Sequence, residues 1–178
     1  MGDWQRRGKY LMASLNPQCG VWGVHLRMTG QFQWHEQPTD PCRHTRVRLW
    51  NAADQELRFV DVRSFGEMWW VPPDQAVEDV ISGLTRLGPE PFSPEFSAAY
   101  LKHKLRGSSR PIKTALLDQA LVAGAGNIYA DECLFASGIA PFTPAGQLKL
   151  DQLEKLRDAL VNVPVSYTHL TLPTRAVV

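Results

Sequence analysis

The chain has 178 residues, of which 44% are hydrophobic and 21% are charged, a composition typical of a folded globular protein rather than a disordered one. Its formal net charge is only +1, so any affinity for a polyanion must come from local clusters of charge. Three widely spaced cysteines form neither a disulfide framework nor a metal-binding pair, and no apolar run reaches the ~18 residues of a membrane span, so we expect a cytoplasmic protein with no membrane partner.

Residues 1 to 72 predict β structure. Several short segments are rich in branched and aromatic residues, and turn-prone residues separate them. These segments are Lys9–Leu15, Val21–Met28, His44–Trp50, Glu56–Val62 and Glu67–Val71.

Two of these segments alternate clearly between apolar and polar residues. The alternation would place His25, Arg27, His44, Arg46 and Arg48 together on one face of the sheet. In many antiparallel sheets such a face is simply exposed to solvent. No carboxylate falls on these two faces, which instead favours a groove that faces phosphate groups.

A stiff Leu-Gly-Pro-Glu-Pro stretch at 87–91 separates the strands from segments of helical period. We therefore expect a β domain over 1–82, a linker over 83–92 and a helical domain over 93–163. The predicted helices run from Ser93 to Gly107, then through Ile112, Ala115, Leu116 and Ala120, then from the glycine turn to Gly138, and finally through Leu153 and Leu160 to a stop at Pro164.

The glycine turn, Gly-Ala-Gly-Asn at 124–127, lies at the start of the third helix. A helix start that is entered through glycines offers free N–H groups to an anion, and Asn127 suits the cap position. The segment 96–117 before it is basic and contains no Asp or Glu, with Lys102, Lys104, Arg106, Arg110 and Lys113. A solvated helix face is the ordinary interpretation of such a run. Because the run lies directly before the glycine turn, binding of a nucleic-acid phosphate is the favoured interpretation.

The last fifteen positions, 164–178, break the helical pattern. The run VSYTHLTLPT looks like a translated sequencing adapter, so we expect residues 164–178 to be a non-native tail and exclude them from the fold.

Six blocks of the sequence, in order, resemble bacterial formamidopyrimidine-DNA glycosylases. They are RRGKYL at 6–11, HLRMTG at 25–30, HTR at 44–46, DVRSFG at 61–66, RLGPEPF at 86–92 and LLDQALVAGAGNIYADECLF at 116–135. The resemblance covers nearly all of residues 3–163. It implies an α+β fold in which a partial antiparallel β-sandwich precedes a helix–two-turn–helix bundle. It also implies a bifunctional glycosylase and AP lyase that removes 8-oxoguanine and formamidopyrimidines. HLRMTG and DVRSFG favour this enzyme over its sister, endonuclease VIII.

The resemblance also assigns roles to individual residues. Met28, Arg63 and Phe65 match the side chains that fill the gap left when the damaged base flips out of the duplex. For Met28, the strand pleat favours a buried position beside Leu26 instead. For Arg63, an ion pair with Asp61 is the competing interpretation.

The remaining assignments concern the phosphate backbone. Lys9 matches a lysine that assists near the catalytic centre, although a surface lysine at a strand end is the simpler explanation. The other matches are His25, His44, Lys113 and Asn127, with Arg110 standing beside Ser109 where the family often has a basic contact. Arg27 stands where glycine is commoner in the family.

Two features that the resemblance implies have no counterpart in this sequence. The family's nucleophile is an N-terminal proline amine followed by glutamate, whereas this chain begins Met-Gly-Asp. The zinc finger with its two cysteine pairs has no match either, so no zinc or other cofactor is expected in this chain. We therefore expect a monomeric fragment that binds damaged double-stranded DNA without turnover. The alternatives are an endonuclease VIII-type glycosylase, a non-catalytic DNA-binding helix–two-turn–helix module and an inert fragment.

Overall fold

The computed structural model describes residues 3–16 and 18–170, with side chains described as far as Val163. These residues form two compact units, which meet in the sequence between Ile81 and Ser82. No helix among them combines the length and the apolar character that a membrane span needs. Strands fill the first unit and helices the second, which confirms the predicted α+β class.

The first unit contains two antiparallel sheets. Their strands are β1 (Trp4–Arg7), β2 (Tyr10–Ser14), β3 (Val21–His25), β4 (Gly30–His35), β5 (Thr45–Trp50), β6 (Glu56–Asp61) and β7 (Glu67–Val71), and a short helix α1 (Val77–Val80) follows. One sheet has the order β1-β2-β3-β7 and the other β4-β6-β5. Aromatic rings from both sheets pack together, since Trp22 lies 5.6 Å from Phe32 and Phe32 lies 5.5 Å from Phe59 between ring centroids. The sheets therefore share an aromatic core.

Two strands were not predicted. β1 has the sequence WQRR and is mostly exposed, so no apolar period marks it. β4 does alternate, with Phe32 and Trp34 between polar neighbours. Its start, a glycine directly after a turn, gives the sequence no strand signal.

The predicted basic face is wrong, because β3 and β5 belong to different sheets. On β5, Arg48 forms an ion pair with Glu56 of the neighbouring strand β6. Arg46 donates from Nε to the carbonyl oxygen of Asp61 at 2.9 Å. These partners lie on other strands, so alternation within each strand could not reveal them.

The second unit is helical. Its helices are α2 (Ala98–Lys104), α3 (Ile112–Leu117), α4 (Asn127–Ser137) and α5 (Leu150–Leu170), with 3₁₀ turns at Ser82–Arg86 and Ala145–Gln147. Apolar residues at helical spacing form its core, among them Phe96, Leu101, Ile112, Leu116, Leu134, Leu153, Leu156 and Leu160. Gly138 ends α4 in the left-handed conformation at φ 67°, as predicted.

Three predicted helix boundaries are wrong. The first long helix begins at Ala98 rather than Ser93, because Ser97 caps it by accepting the N–H of Tyr100 at 3.1 Å. The helix α3 ends at Leu117, so Ala120 lies in the following turn and is exposed.

The third concerns Pro164, which was predicted to stop the last helix. α5 instead continues through this position to Leu170. A proline has no N–H for the carbonyl four residues earlier, which is that of Leu160. The hydroxyl of Tyr129 on α4 donates to that carbonyl, so the orphaned acceptor has a partner. Of the predicted non-native tail, residues 164–170 thus lie in a helix, and residues 171–178 lie outside the described residues.

Candidate nucleic-acid interface

The chain crosses between the two sheets of the first unit twice, both times at the same end. The chain leaves the first sheet through residues 26–29 (the 26–29 turn) and returns through residues 62–66 (the 62–66 loop). His25 pairs with Glu67 across β3 and β7, and Gly30 pairs with Asp61 across β4 and β6. The register therefore brings the turn and the loop side by side.

The turn and the loop present Met28, Arg63 and Phe65 together. Met28 is 73% exposed and Phe65 is 53% exposed. The Arg63 guanidinium lies between them, with Nη1 3.3 Å from the Met28 sulfur and the guanidinium carbon 4.8 Å from the centre of the Phe65 ring. The alternative of a buried Met28 is therefore wrong, since β3 ends at His25 and Met28 leaves the pleat.

Asp61 contacts both connections, but it does so without the ion pair to the Arg63 guanidinium that was the competing interpretation. Its carboxylate accepts the hydroxyl of Thr29, the main-chain N–H of Arg63 at 3.2 Å and the N–H of Gly66 at 2.8 Å. The guanidinium of Arg63 lies instead against Met28 and Phe65. The hydroxyl of Thr29 holds the carboxylate's pKa below its usual range, and the N–H groups add to this effect.

Close packing also fixes the two connections. A Cβ on Gly30 would come within 2.8 Å of the Phe59 ring, and one on Gly66 within 2.5 Å. Arg27 and Ser64 have φ of 55° and 57°, in the left-handed region that glycine occupies without strain. Glycine at position 27 would adopt this conformation without strain. Arg27 is held there by an ion pair with Glu67 at 2.6 Å.

His25 and Lys9 lie at the same end of the first sheet. His25 is 8% exposed, stands edge-on to the Tyr10 ring at 4.8 Å between centroids, and accepts the N–H of Arg27 on Nδ1 at 3.1 Å. Burial, and then the charge of Arg27, lower the pKa of His25. The neutral ring therefore carries its proton on Nε2. Lys9 is exposed as a residue, but partial burial of its amine lowers the pKa of that amine.

His44 lies beside the end of β6, where its carbonyl oxygen accepts the N–H of Asp61 at 3.0 Å. Its Nε2 accepts from Nε of Arg43 at 2.9 Å, which places the ring proton on Nδ1. That Nδ1 is buried and has no hydrogen-bond partner in the described structure. The topology thus brings the predicted residues of the first unit to one end of its two sheets. Met28, Arg63 and Phe65 lie in the two neighbouring connections, whereas Lys9, His25 and His44 lie outside them.

In the second unit, the turn before α4 is fixed by one side chain, Gln119. Its Nε2 donates to the carbonyl oxygens of Leu117 and Ala125 at 3.1 and 2.8 Å, and its Oε1 accepts the N–H of Gly124 at 2.9 Å. The main-chain carbonyl of Gln119 also accepts the N–H of Gly88 at 2.8 Å. Residues of the predicted linker are thus bonded to this turn.

Asn127 is exposed, but it is not the cap. Gly126 occupies the cap position of α4 without a side-chain hydrogen bond, and Asn127 is the first helical residue. Helix N-termini leave N–H groups free for an anion whether or not a side chain caps them. The prediction of Asn127 as the cap is therefore wrong in position by one residue.

The two basic residues predicted for this unit have acidic partners. Lys113 on α3 lies 2.8 Å from a carboxylate oxygen of Asp131, and Arg110 lies 3.3 Å from Asp118. Asp131 is one helical turn after Asn127, so both are on one face of α4 and Lys113 lies beside that face. Arg110 is held at Asp118, at the end of α3.

Sequence reasoning missed Thr29 and Gln119, and treated Asp61 only as a possible ion-pair partner. Thr29 stands in a resemblance block, but its bond joins residues more than thirty positions apart and only the fold reveals it. Among the described residues, no three His, Cys, Asp or Glu side chains are placed to hold a metal ion.

Comparisons with known proteins find relatives of both units. The family model for the "Formamidopyrimidine-DNA glycosylase N-terminal domain" matches residues 1–68, and that for the "Formamidopyrimidine-DNA glycosylase H2TH domain" matches residues 87–165. The formamidopyrimidine-DNA glycosylase of Parasynechococcus marenigrum is 72% identical over 163 residues, which are 92% of this chain and 59% of that protein. The one from a Synechococcus strain is 64% identical and covers 90% and 58%. This chain thus spans less than two thirds of the length of these relatives.

Solved structures show the same fold. The MutM (Fpg) protein of Thermus thermophilus is 39% identical with a TM-score of 0.81, over 94% of this chain and 60% of that one. The Lactococcus lactis formamidopyrimidine-DNA glycosylase, solved with DNA containing an AP site, is 32% identical with a TM-score of 0.84, over 94% and 63%. A MutM protein solved with DNA containing carbocyclic 8-oxoguanine is 33% identical with a TM-score of 0.83, over 94% and 62%.

Proposed function

The chain belongs to the formamidopyrimidine-DNA glycosylase family, and on this premise we propose that it serves base-excision repair of DNA. Its residues would bind a damaged duplex for a bifunctional glycosylase and AP lyase that removes 8-oxoguanine and formamidopyrimidines and cleaves the strand. Solved relatives that hold DNA with an AP site or with 8-oxoguanine support this substrate class.

The observation that carries the proposal is the exposed group of Met28, Arg63 and Phe65. An enzyme that acts on a base must take it out of the stack, and the vacated space has to be filled. Two exposed apolar side chains with a cation between them suit that purpose, because apolar wedges separate base steps and a guanidinium donates to a base edge. We assign Phe65 to the wedge, Met28 to the vacated stack and Arg63 to the base left without its partner.

The neighbouring polar residues would hold the phosphates around the lesion. Neutral His25 can donate from Nε2. For His44 the support is the match of the block at 44–46, since its Nδ1 is buried and its Nε2 accepts from Arg43. Lys9 would bind the phosphate beside the lesion. A lowered amine pKa also brings Lys9 closer to exchanging protons at neutral pH, which suits an assisting role in strand cleavage.

The second unit would supply a further set of phosphate contacts. Asn127 and the free N–H groups at the start of α4 suit one phosphate, and Lys113 lies beside the same helix face. Arg110 is a surface contact of the same kind. Such contacts position the duplex without reading its sequence.

We also propose that the protein binds double-stranded DNA as a monomer, at the nucleoid of the bacterial cytoplasm. The relatives solved with DNA support double-stranded DNA as the partner.

The test is fluorescence anisotropy with two labelled duplexes, one containing an abasic-site analogue opposite cytosine and one undamaged. The protein should bind the first more tightly. Phe65→Ala should weaken that binding by about tenfold, because stacking of an aromatic ring on a base contributes roughly 1–3 kcal/mol. Arg63→Ala should also reduce the difference between the duplexes. Arg157→Ala is the matched control, an exposed arginine on α5 that pairs with Asp158.

Equal affinity for the two duplexes would contradict the proposal. If that equal affinity fell steeply with salt, the chain would instead be a non-catalytic DNA-binding module. The observation favouring that second candidate is Lys113 beside the start of α4.

A further inference from the structure

The group of Met28, Arg63 and Phe65 comes from two separate stretches of chain. Met28 belongs to the 26–29 turn before β4, and the other two belong to the 62–66 loop after β6. Strands β4 and β6 are antiparallel neighbours, so the start of one meets the end of the other. Their meeting point is the pair Gly30 and Asp61.

We infer that Asp61, together with Thr29, is a positioning residue that locks the 26–29 turn and the 62–66 loop into one arrangement. Met28, Arg63 and Phe65 then enter the duplex as a single preformed group. The inference deepens the proposed function and depends on it, because it assigns the residues that hold the DNA-inserting side chains in place.

The first argument is the pattern of hydrogen bonds on the Asp61 carboxylate. The residue is 1% exposed, and its two oxygens accept from donors on both connections. Thr29 of the turn and the N–H of Arg63 share Oδ1, while the N–H of Gly66 uses Oδ2. Hydrogen bonds to an ionised acceptor are about twice as strong as those between neutral groups. One buried charge therefore binds two connections that lie more than thirty residues apart in the sequence.

The second argument is that the hydroxyl of Thr29 is used twice. It donates to Asp61, and its oxygen accepts the N–H of Arg63 at 3.2 Å. The residue that carries the central cation is thus bonded directly to the turn that carries Met28. The Phe59 ring adds an independent apolar contact, because it lies against both Gly30 and Gly66.

The third argument comes from the backbone. Arg27 precedes Met28, and Ser64 separates Arg63 from Phe65, and both have positive φ. The left-handed region is strained for a non-glycine residue, so each connection needs a fixed partner to stay in this conformation. The carboxylate of Asp61 supplies that partner for the 62–66 loop. Thr29, bound to Asp61, supplies it for the turn together with the ion pair of Arg27 with Glu67.

The experiment uses the 178-residue protein and three variants. Asp61→Asn keeps the shape of the side chain but replaces one acceptor with a donor. Thr29→Val removes the hydroxyl at nearly constant volume, and Thr29→Ser restores it. The matched controls are Thr85→Val, whose hydroxyl donates to Ser82 in the second unit, and Asp158→Asn on the surface of α5.

Each variant is characterised by three measurements. Anisotropy gives the ratio of affinities for the abasic-analogue and undamaged duplexes. The fluorescence of 2-aminopurine placed beside the lesion, taken at saturating protein, reports whether the neighbouring bases are unstacked. Amide hydrogen exchange without DNA reports the N–H groups of Arg63 and Gly66, which donate to Asp61.

The inference expects Asp61→Asn and Thr29→Val to lower the affinity ratio by about tenfold, to reduce the 2-aminopurine signal at saturation and to speed exchange at both amides. Thr29→Ser and the two controls should behave as the original protein. A merely structural role would lower the amount of folded protein but leave the saturated 2-aminopurine signal unchanged.

Two results would overturn the inference while leaving the proposed function standing. In one, the original protein prefers the abasic-analogue duplex and both Asp61→Asn and Thr29→Val keep that preference. In the other, Thr29→Ser loses as much as Thr29→Val. If the original protein shows no preference between the duplexes, the proposed function fails, and this inference fails with it.

Discussion

Glu56 lies buried between the guanidinium groups of Arg48 and Arg58. Arg58 in turn donates to the main-chain carbonyl oxygens of Thr39 and Asp40. The cluster therefore ties β5 and β6 to the segment that leads to His44. Buried ion pairs of this kind are costly to break, because removing one partner leaves an uncompensated charge.

The first prediction concerns acid stability. The guanidinium groups of Arg48 and then Arg58 lower the pKa of Glu56 to about 2, against 4.5 for an ordinary glutamate. Because the folded pKa is depressed, the stabilisation is complete above pH 4.5 and is lost as the pH falls toward about 2. Urea denaturation followed by tryptophan fluorescence should show a falling midpoint in this window.

The Glu56→Gln variant tests the cause. It should be less stable at neutral pH and should depend less on pH within the same window. Glu78→Gln on α1 is the control, since its side chain is exposed. A variant whose acid dependence equals that of the original protein would show that other carboxylates are responsible.

The second prediction concerns Gly66, whose added Cβ would come within 2.5 Å of the Phe59 ring and 3.1 Å of an Asp61 oxygen. Gly66→Ala should lower the free energy of unfolding by roughly 1–3 kcal/mol, as overpacking of a filled core does. Ser64→Gly, two residues earlier, should have no such cost, because its φ of 57° suits glycine. Equal loss in both variants would point to the loop as a whole rather than to the contact.

For single residues, the sequence predicts which side chains are exposed at the candidate interface better than it predicts what those side chains contact. The block Asp61–Gly66 marks Arg63 and Phe65 as exposed DNA contacts, and both are indeed exposed. The block does not predict that the Asp61 carboxylate accepts main-chain N–H groups instead of pairing with the guanidinium of Arg63. The alternation of apolar and polar residues also does not predict that β3 ends at His25, so that Met28 lies outside the strand and is exposed. Both outcomes depend on strands that are distant in the sequence.

Among the helices, α4 shows how local charge can oppose a predicted contact. Lys113 lies beside the start of α4, but its ammonium is engaged by Asp131 at 2.8 Å. The basic run 96–117 contains no acid. The partner comes from the next helix, so composition alone overstated how available this lysine is to a phosphate.

The third prediction follows from that ion pair. Asp131→Asn should increase the affinity for duplex DNA about twofold to fivefold at low salt, because the carboxylate repels phosphate and competes for Lys113. Lys113→Ala should lower the affinity and reduce the slope of log affinity against log salt by roughly 0.9. Asp151→Asn at the start of α5 is the control for a change of one charge. An affinity that is the same in all variants would remove Lys113 from the interface.

Hydrophobic periodicity predicts most of the helices and strands, but it does not predict which of them lie side by side in the fold. The glycine turn, the start of α4 and its end at Gly138 depend on local backbone chemistry, so they could be predicted. The basic face could not, because the order β4-β6-β5 separates β5 from β3. The continuation of α5 beyond Pro164 could not either, since it depends on the Tyr129 hydroxyl of another helix.

Over the whole molecule, the two units differ in how much apolar surface they bury. The cluster of buried side chains from Phe96 to Leu160 lies entirely in the second unit. The first unit buries few large side chains, notably Val24, Phe59 and Ile81. Several of its aromatic residues are exposed instead, namely Trp4, Trp34, Trp50 and Trp70. Because burial of apolar area drives folding, the helical unit should be the more stable one.

The chain offers separate probes for the two units. All six tryptophans, at positions 4, 22, 34, 50, 69 and 70, belong to the first unit. The long helices belong to the second. Tryptophan fluorescence therefore follows the β unit alone, and far-UV circular dichroism is dominated by the helical unit.

The fourth prediction is that unfolding of the whole chain is not two-state. In a urea titration the fluorescence transition should come at a lower concentration than the circular dichroism transition, because the β unit has the smaller core. Leu116→Ala in the helical core should shift only the circular dichroism midpoint, since removing a buried leucine costs roughly 2–5 kcal/mol. Phe59→Leu should shift only the fluorescence midpoint. Coincident transitions that both variants move together would show that the two units unfold as one.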